Sequence, residues 1–232
     1  MGHDLDARLD QVAVLGEPVR RALYRFVATQ PEPVTREQAA AGVGVAQHTA
    51  KFHLDRLVDD RLLEASYRRP PGRGGPGAGR PAKVYRRSGT DLDVSLPERR
   101  YELAGRLLVK AVAQAERTGS PVSEALGSVA TRAGRSTGTQ GASNLGWRAP
   151  PQEVEAAVFD ALTADGYEPR RDADGITLAN CPFHALAREA TELVCGMNRA
   201  YVAGVLDGIG ADTLDAKLDP ARGRCCVRLE QR

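Results

Sequence analysis

The stretch VAQHTAKFHLDRLVDDRLLEA, residues 45–65, decides the reading of the N-terminal part of this 232-residue chain. Ala50, Leu54 and Leu57 recur at helical spacing and form one inward stripe. A rotation of 100° per residue leaves Gln47, His48, Thr49, Lys51, Phe52 and Arg56 on or beside the opposite face. Glutamine can read adenine, lysine can meet guanine or a phosphate, and an exposed phenylalanine can lie on a thymine methyl. His53 borders the apolar stripe and reads as packing.

Two shorter helices are predicted upstream. EPVRRALYRFVATQ (17–30) sets Val19, Leu23, Phe26 and Val27 on one face, with Pro18 suited to the first turn. VTREQAAAGVGV (34–45) offers Thr35 as an N-cap and Gln38 three residues later, the capping-box arrangement, with Gly42 and Gly44 as stop signals. Helix, glycine-containing turn and helix form the helix-turn-helix pattern, whose second member enters the DNA major groove.

Downstream, LLEASYRR (62–69) and AKVYRR (82–87) read as two strands joined by a glycine- and proline-rich tip. A hairpin in that place is a wing. Residues 66–87 carry seven basic side chains and no acidic one. Arg68, Arg69, Arg73, Arg80 and Lys83 are therefore candidates for phosphates or a narrow minor groove. Over residues 1–90, 15 basic side chains face 10 acidic ones, although the whole chain is nearly balanced at +2.

These motifs, LGEPVRRALYRFV, VAQHTAKFHLDRLVDDRLLEA and GRPAKVYRR, resemble the winged helix-turn-helix of bacterial ArsR-type repressors over about residues 8–90. The resemblance implies a sequence-specific transcription factor acting as a homodimer on a double-stranded DNA operator. No apolar run approaches the ~18 residues of a membrane span, and the first residues lack a leader pattern, so a cytoplasmic protein is expected.

The second part is predicted as a helical dimerisation segment (91–133), a flexible connection (134–150) and a small α+β sensor domain (151–232), after a DNA-binding domain over 1–90. The fold class is thus α+β, with an N-terminal winged helix-turn-helix. Pro97 is expected to open a long helix, with a further helix over 121–133. AGRSTGTQGASNLGWRAPP (133–151) is rich in Gly, Ser and Thr, which predicts a mobile connection, and Trp147 within it could pack or cover a site. From 151 onward a helix, a hairpin over 167–180, a helix from about 189 to 209 and a strand pair are expected.

All four cysteines lie in the last quarter, in NCPFHALAREATELVCGMN (180–198) and GRCCVRL (223–229). In a reducing compartment such clustering argues for metal or redox chemistry. Cys181 and His184 stand three apart on a turn stiffened by Pro182, as short Cys/His spacings do in zinc and iron–sulfur sites. With Cys195 and one of the terminal pair they make four soft or borderline donors. Alternation along a strand lets one of Cys225 and Cys226 face the site rather than both; Cys225 is taken, with Cys226 as the alternative. An enzyme using Cys181 as nucleophile and His184 as base would need an orienting group and an oxyanion site, and neither is recognisable.

This half resembles the SufR-type regulators, which carry an iron–sulfur cluster on C-terminal cysteines. The resemblance implies a repressor sensing a 2Fe–2S or 4Fe–4S cluster, with zinc as the alternative; Cys181 and Cys195 match the first two cysteines of the pattern, and the doubled, distant Cys225/Cys226 departs from it. A winged-helix regulator with a C-terminal organic-ligand or thiol-redox domain and no metal is the competing expectation.

Overall fold

The computed structural model describes residues 3–68, 81–146, 149–173 and 175–232, without the side chains of His3 and Asp4. The wing-tip candidates Arg69, Arg73 and Arg80, and Trp147, lie outside the described residues. The chain divides into two compact units, one ending at Val94 and the other beginning at Ser95.

The first unit contains α1 (His3–Val14), α2 (Pro18–Ala28), β1 (Val34–Thr35), α3 (Arg36–Val43), α4 (Gln47–Asp59), β2 (Leu63–Arg68) and β3 (Ala82–Arg87). Local chemistry sets its boundaries. Glu17 caps α2 by accepting from the Val19 and Arg20 amides, and Pro18 takes the first turn, where a missing N–H costs nothing. Thr35 and Gln38 form the reciprocal capping box of α3, and Gly44, at φ 74°, ends it in the left-handed region. Only Gly44 is the stop: Gly42 lies inside α3 because the Phe26 ring occupies the space a Cβ there would need. The three helices pack Leu23, Ala50, Leu54 and Leu57 to complete burial. Each such leucine contributes about 1.5–3 kcal/mol relative to exposure.

The wing is a three-stranded antiparallel sheet in the order β1-β3-β2, with Leu63 opposite Arg87 and Arg68 opposite Ala82. Its first strand is too short, at two residues, to show a period in the sequence.

The second unit holds α5 (Tyr101–Thr118), α6 (Val122–Gly141), α7 (Pro151–Ala164), β4 (Pro169–Asp172), β5 (Gly175–Leu178), α8 (His184–Glu189), α9 (Thr191–Ile209), β6 (Leu214–Leu218) and β7 (Val227–Gln231). Its antiparallel sheet has the order β4-β5-β7-β6. One core joins Leu107 of α5, Leu126 of α6, Val158 of α7, Val205 of α9 and Leu229 of β7. The segments expected to be separate, 91–133 and 151–232, thus share a single core.

The expected flexible connection over 134–150 is corrected over its first half, because α6 continues to Gly141. A Cβ on Gly134 would stand 2.0 Å from the Tyr201 carbonyl oxygen, and one on Gly138 2.2 Å from that of Val205. Gly204 and Gly208 of α9 approach the carbonyls of Thr131 and Arg135 just as closely. Two parallel helices therefore meet backbone to backbone along small residues on both, which explains the low apolar content that suggests a linker. Beside the seam, the Tyr201 hydroxyl donates to buried Asp165 Oδ2 at 2.6 Å and lies 3.0 Å from Thr137 Oγ1, and Arg100 donates to Asp165 Oδ1 at 3.0 Å. Pro97 precedes α5 by four residues rather than opening it.

Candidate functional site

On α4, Gln47, His48, Lys51, Phe52 and Arg56 are exposed and Thr49 is half-buried. Phe52 is 65% exposed, with its ring edge-on to His53 at 5.2 Å between centroids. Leaving so large an apolar ring in water suits a face that meets a partner. His53 turns inward, with Nδ1 accepting from Arg20 Nε at 3.4 Å. Ala46, before the helix, has no side chain to cap it, so the first α4 amides are not satisfied by a side chain there and can meet water or a phosphate.

Each described candidate cation is held by an acid. Lys51 Nζ donates to Asp55 Oδ2 at 3.0 Å, one turn along the helix. Lys83 Nζ, from the wing, donates to Asp55 Oδ1 at 2.6 Å, and the Tyr85 hydroxyl joins at 3.1 Å. Arg56 pairs with Asp60 at 2.7 Å, and exposed Arg68 pairs with Glu32 at 3.2 Å. Burial pushes the Asp55 carboxyl up, but its bonds from Lys83, Lys51 and Tyr85 outweigh this and hold it below the ordinary value. Asp55 is thus the joint between recognition helix and wing. Asp55, Arg36, Tyr67 and Tyr85, which are not among the sequence candidates, border the same face; Arg36, Lys51, Tyr67, Lys83 and Tyr85 line a groove of about 410 Å³. Only the i,i+4 spacing of Lys51 and Asp55 hinted at the joint.

Replacing Asp55 with asparagine is expected to free both lysines. Binding to random duplex should tighten, and the slope of log affinity against log salt should steepen by about one to two units, one for each phosphate gained. An unchanged slope would show that neither lysine reaches DNA. The pH dependence has a defined sign: with its folded pKa depressed, Asp55 stabilises the unit above the unfolded carboxylate value of about 4, and this is lost as pH falls through the lower folded value.

In the second unit, three separate segments bring all four cysteines together. Cys181 lies in the turn after β5, Cys195 in α9, and Cys225 and Cys226 just before β7. The Cys181 and Cys225 thiols lie close enough to shift each other's titration, as do Cys225 and Cys226, and Cys195 and Cys226. Cys181, Cys195 and Cys225 are buried, Cys225 completely; Cys226 is half-buried. Cys225 and Cys226 both precede the regular strand, which begins at Val227, so strand alternation does not set their sulfurs on opposite faces.

Donors surround these sulfurs. Asn198 Nδ2 donates to Cys225 Sγ at 3.1 Å, held by the Tyr167 hydroxyl, which donates to Asn198 Oδ1 at 2.5 Å; the Val227 amide donates to Cys225 Sγ at 3.5 Å. The Phe183 backbone beside Cys181 favours its thiolate. Asn180 pins the Cys181 turn, its Nδ2 donating to the Gly166 carbonyl at 2.6 Å and its Oδ1 accepting from Arg99 Nη1 at 2.6 Å; the same nitrogen donates to the Cys181 carbonyl at 2.8 Å.

The neighbouring Cys225 thiol and burial push the Cys181 thiol far up, and burial raises Cys195. For Cys225 the neighbouring Cys181 thiol lowers the pKa, but Cys226 and burial outweigh it and push it up to about 11. Among the described residues no three His, Cys, Asp or Glu side chains share one point that could hold an ion. His184 does not join the thiols: it is exposed, and it borders a cavity that also reaches Cys181.

A helix-turn-helix with an exposed recognition face and a basic three-stranded wing defines a DNA-binding regulator of the winged helix-turn-helix class. A helix-turn-helix domain family matches residues 15–65, spanning α2 to the start of β2. That domain points to regulation of transcription rather than to catalysis. No curated protein and no solved structure matches the chain. No helix among the described residues is long and apolar enough to cross a membrane.

Proposed function

We propose that the chain is a SufR-like transcriptional repressor, cytoplasmic and homodimeric, whose affinity for its operator is set by an iron–sulfur cluster held on Cys181, Cys195, Cys225 and Cys226. The observation that carries the reading is the meeting of four thiols from three segments of a unit distinct from the winged helix. The donor set fits: thiolate is the ligand of 2Fe–2S and 4Fe–4S clusters, and the amides on Cys225 supply the N–H···S bonds that tune such sites. Holding one cluster would require the sulfurs to turn toward a shared point, by other staggered χ1 rotamers. When bound, the cluster would supply a charge and a redox state that ordinary side chains lack.

The chain's own residues then do the coupling. Asn198, bonded to Cys225 and Tyr167, ties the thiols to α9, and the glycine seam ties α9 to α6. Ordering the thiols would order this pair of helices, favouring one arrangement of the dimer and so one separation of its two recognition helices. Val109 (71% exposed) and Val112 on α5 offer an apolar face for the second copy. Zinc is the alternative occupant, since four thiolates also suit a structural zinc site. An anaerobic absorption spectrum with metal analysis tests the proposal. Visible sulfur-to-iron absorption with bound iron and sulfide supports it, colourless protein with one zinc supports the alternative, and metal-free protein that still binds operator overturns both.

A further inference from the structure

The cavity beside Cys181 has no part in that reading. It measures about 220 Å³ and is lined by Arg99, Asn180, Cys181, His184, Gly223 and Arg224, with Ala179 completing the wall. Two arginines and a histidine line it, and among the described residues no acidic side chain does, although Asp219 bonds Arg224 from outside the lining. Arg224 Nη2 is paired with Asp219, but its Nη1 is buried with no hydrogen-bond partner. An orphaned buried donor on a cation carries the full desolvation penalty, and native proteins satisfy such groups with water or a ligand. We infer that this cavity binds a small oxyanion, a phosphate or a carboxylate, between Arg224 and Arg99.

The guanidinium fork matches two oxygens of either group, which makes arginine the residue suited to such ligands. Size agrees, since the volume is ample for one small oxyanion. The position has a consequence for the thiols. Arg99 already holds the Cys181 carbonyl, and Arg224 precedes Cys225 in the chain. An oxyanion spanning the two arginines braces the Cys181 turn against the segment entering β7, and so resists opening of the Cys181–Cys225 pair. The site needs no metal on the thiols.

The test uses the full chain, reduced and metal-free, so that its outcome is independent of whether a cluster binds. The first unit carries cations of its own, so the readout must be local: the rate at which iodoacetamide alkylates Cys181, followed by peptide mass spectrometry. Potassium phosphate, sodium malonate and potassium chloride are compared at equal ionic strength. Phosphate or malonate should slow alkylation about tenfold at ten times its dissociation constant, by mass action on the closed form. Protection by phosphate alone marks a phosphate ligand; protection by malonate alone marks a carboxylate. Arg224→Gln should lose the protection and Arg68→Gln should keep it. If Arg224→Gln unfolds, Arg224→Lys, which keeps the charge but loses the fork, should show weakened protection. Equal rates in all three salts, or full protection in the folded Arg224 variant, would overturn the inference and leave water as the partner of Nη1.

Discussion

Replacing Gly204 with alanine is expected to unfold most of the Ser95–Arg232 unit. The added Cβ would stand 2.2 Å from the Thr131 carbonyl oxygen and 2.9 Å from the Arg135 amide nitrogen, both backbone atoms of α6 that cannot swing aside as a side chain would. Relief requires the two helices to part along the whole seam, where Gly134, Gly138 and Gly208 make the same approach. Overpacking at an ordinary core position costs about 1–3 kcal/mol, and a backbone clash at the closest helix contact should reach or exceed the upper figure. Hydrogen exchange resolved by peptide checks the result: protection should fall across α5, α6 and α9 and persist in α2 to α4. Gly105→Ala is the control of opposite sign. That glycine is an exposed helical residue with nothing near its missing Cβ, so alanine should stabilise by about 0.5–1 kcal/mol. A Gly204→Ala protein as protected as its parent would show that the helices do not meet through backbone.

The second large effect concerns the thiols. Changing Cys181 and Cys195 together to serine should reduce affinity for iron or zinc by well over tenfold, because a hard hydroxyl replaces two soft ligands where even outer-shell changes cost 10–100-fold. Cys225→Ser should be the most damaging single change, since Cys225 touches both Cys181 and Cys226 and takes the Asn198 bond. Anaerobic metal analysis of the folded variants is the measurement. Operator binding should become indifferent to chelator and oxidant while the winged helix remains intact. Metal content in the double variant equal to that of the parent would reduce the cysteines to packing, and favour a regulator that senses an organic ligand.

Much of the DNA-binding half was legible because its signals are local. Thr35 and Gln38 lie within one turn, Pro18 and Gly44 act on their own φ, and the Ala50/Leu54/Leu57 stripe repeats at the helical period. The thiol set was legible in membership but not in arrangement. His184 is near Cys181 in sequence, yet the start of α8 turns its ring to the cavity rim. Cys226 stands only as the alternative to Cys225 by a strand alternation that does not apply before the strand begins. The segment 134–141 was misread because composition cannot tell glycines that loosen a chain from glycines that let two helices touch.

By itself, then, the sequence determined the elements whose causes lie within a turn or two of chain: the helix-turn-helix, its caps, the wing strands and the supply of four soft donors in the last quarter. Tertiary structure alone decided what meets what. Asp55 joins Lys51 to Lys83 from another element, Gly134 faces Tyr201, and Cys181 meets Cys225 beside the end of the paired strands β5 and β7. Those pairings depend on how non-adjacent faces pack, a free energy summed over the whole core that no local period records.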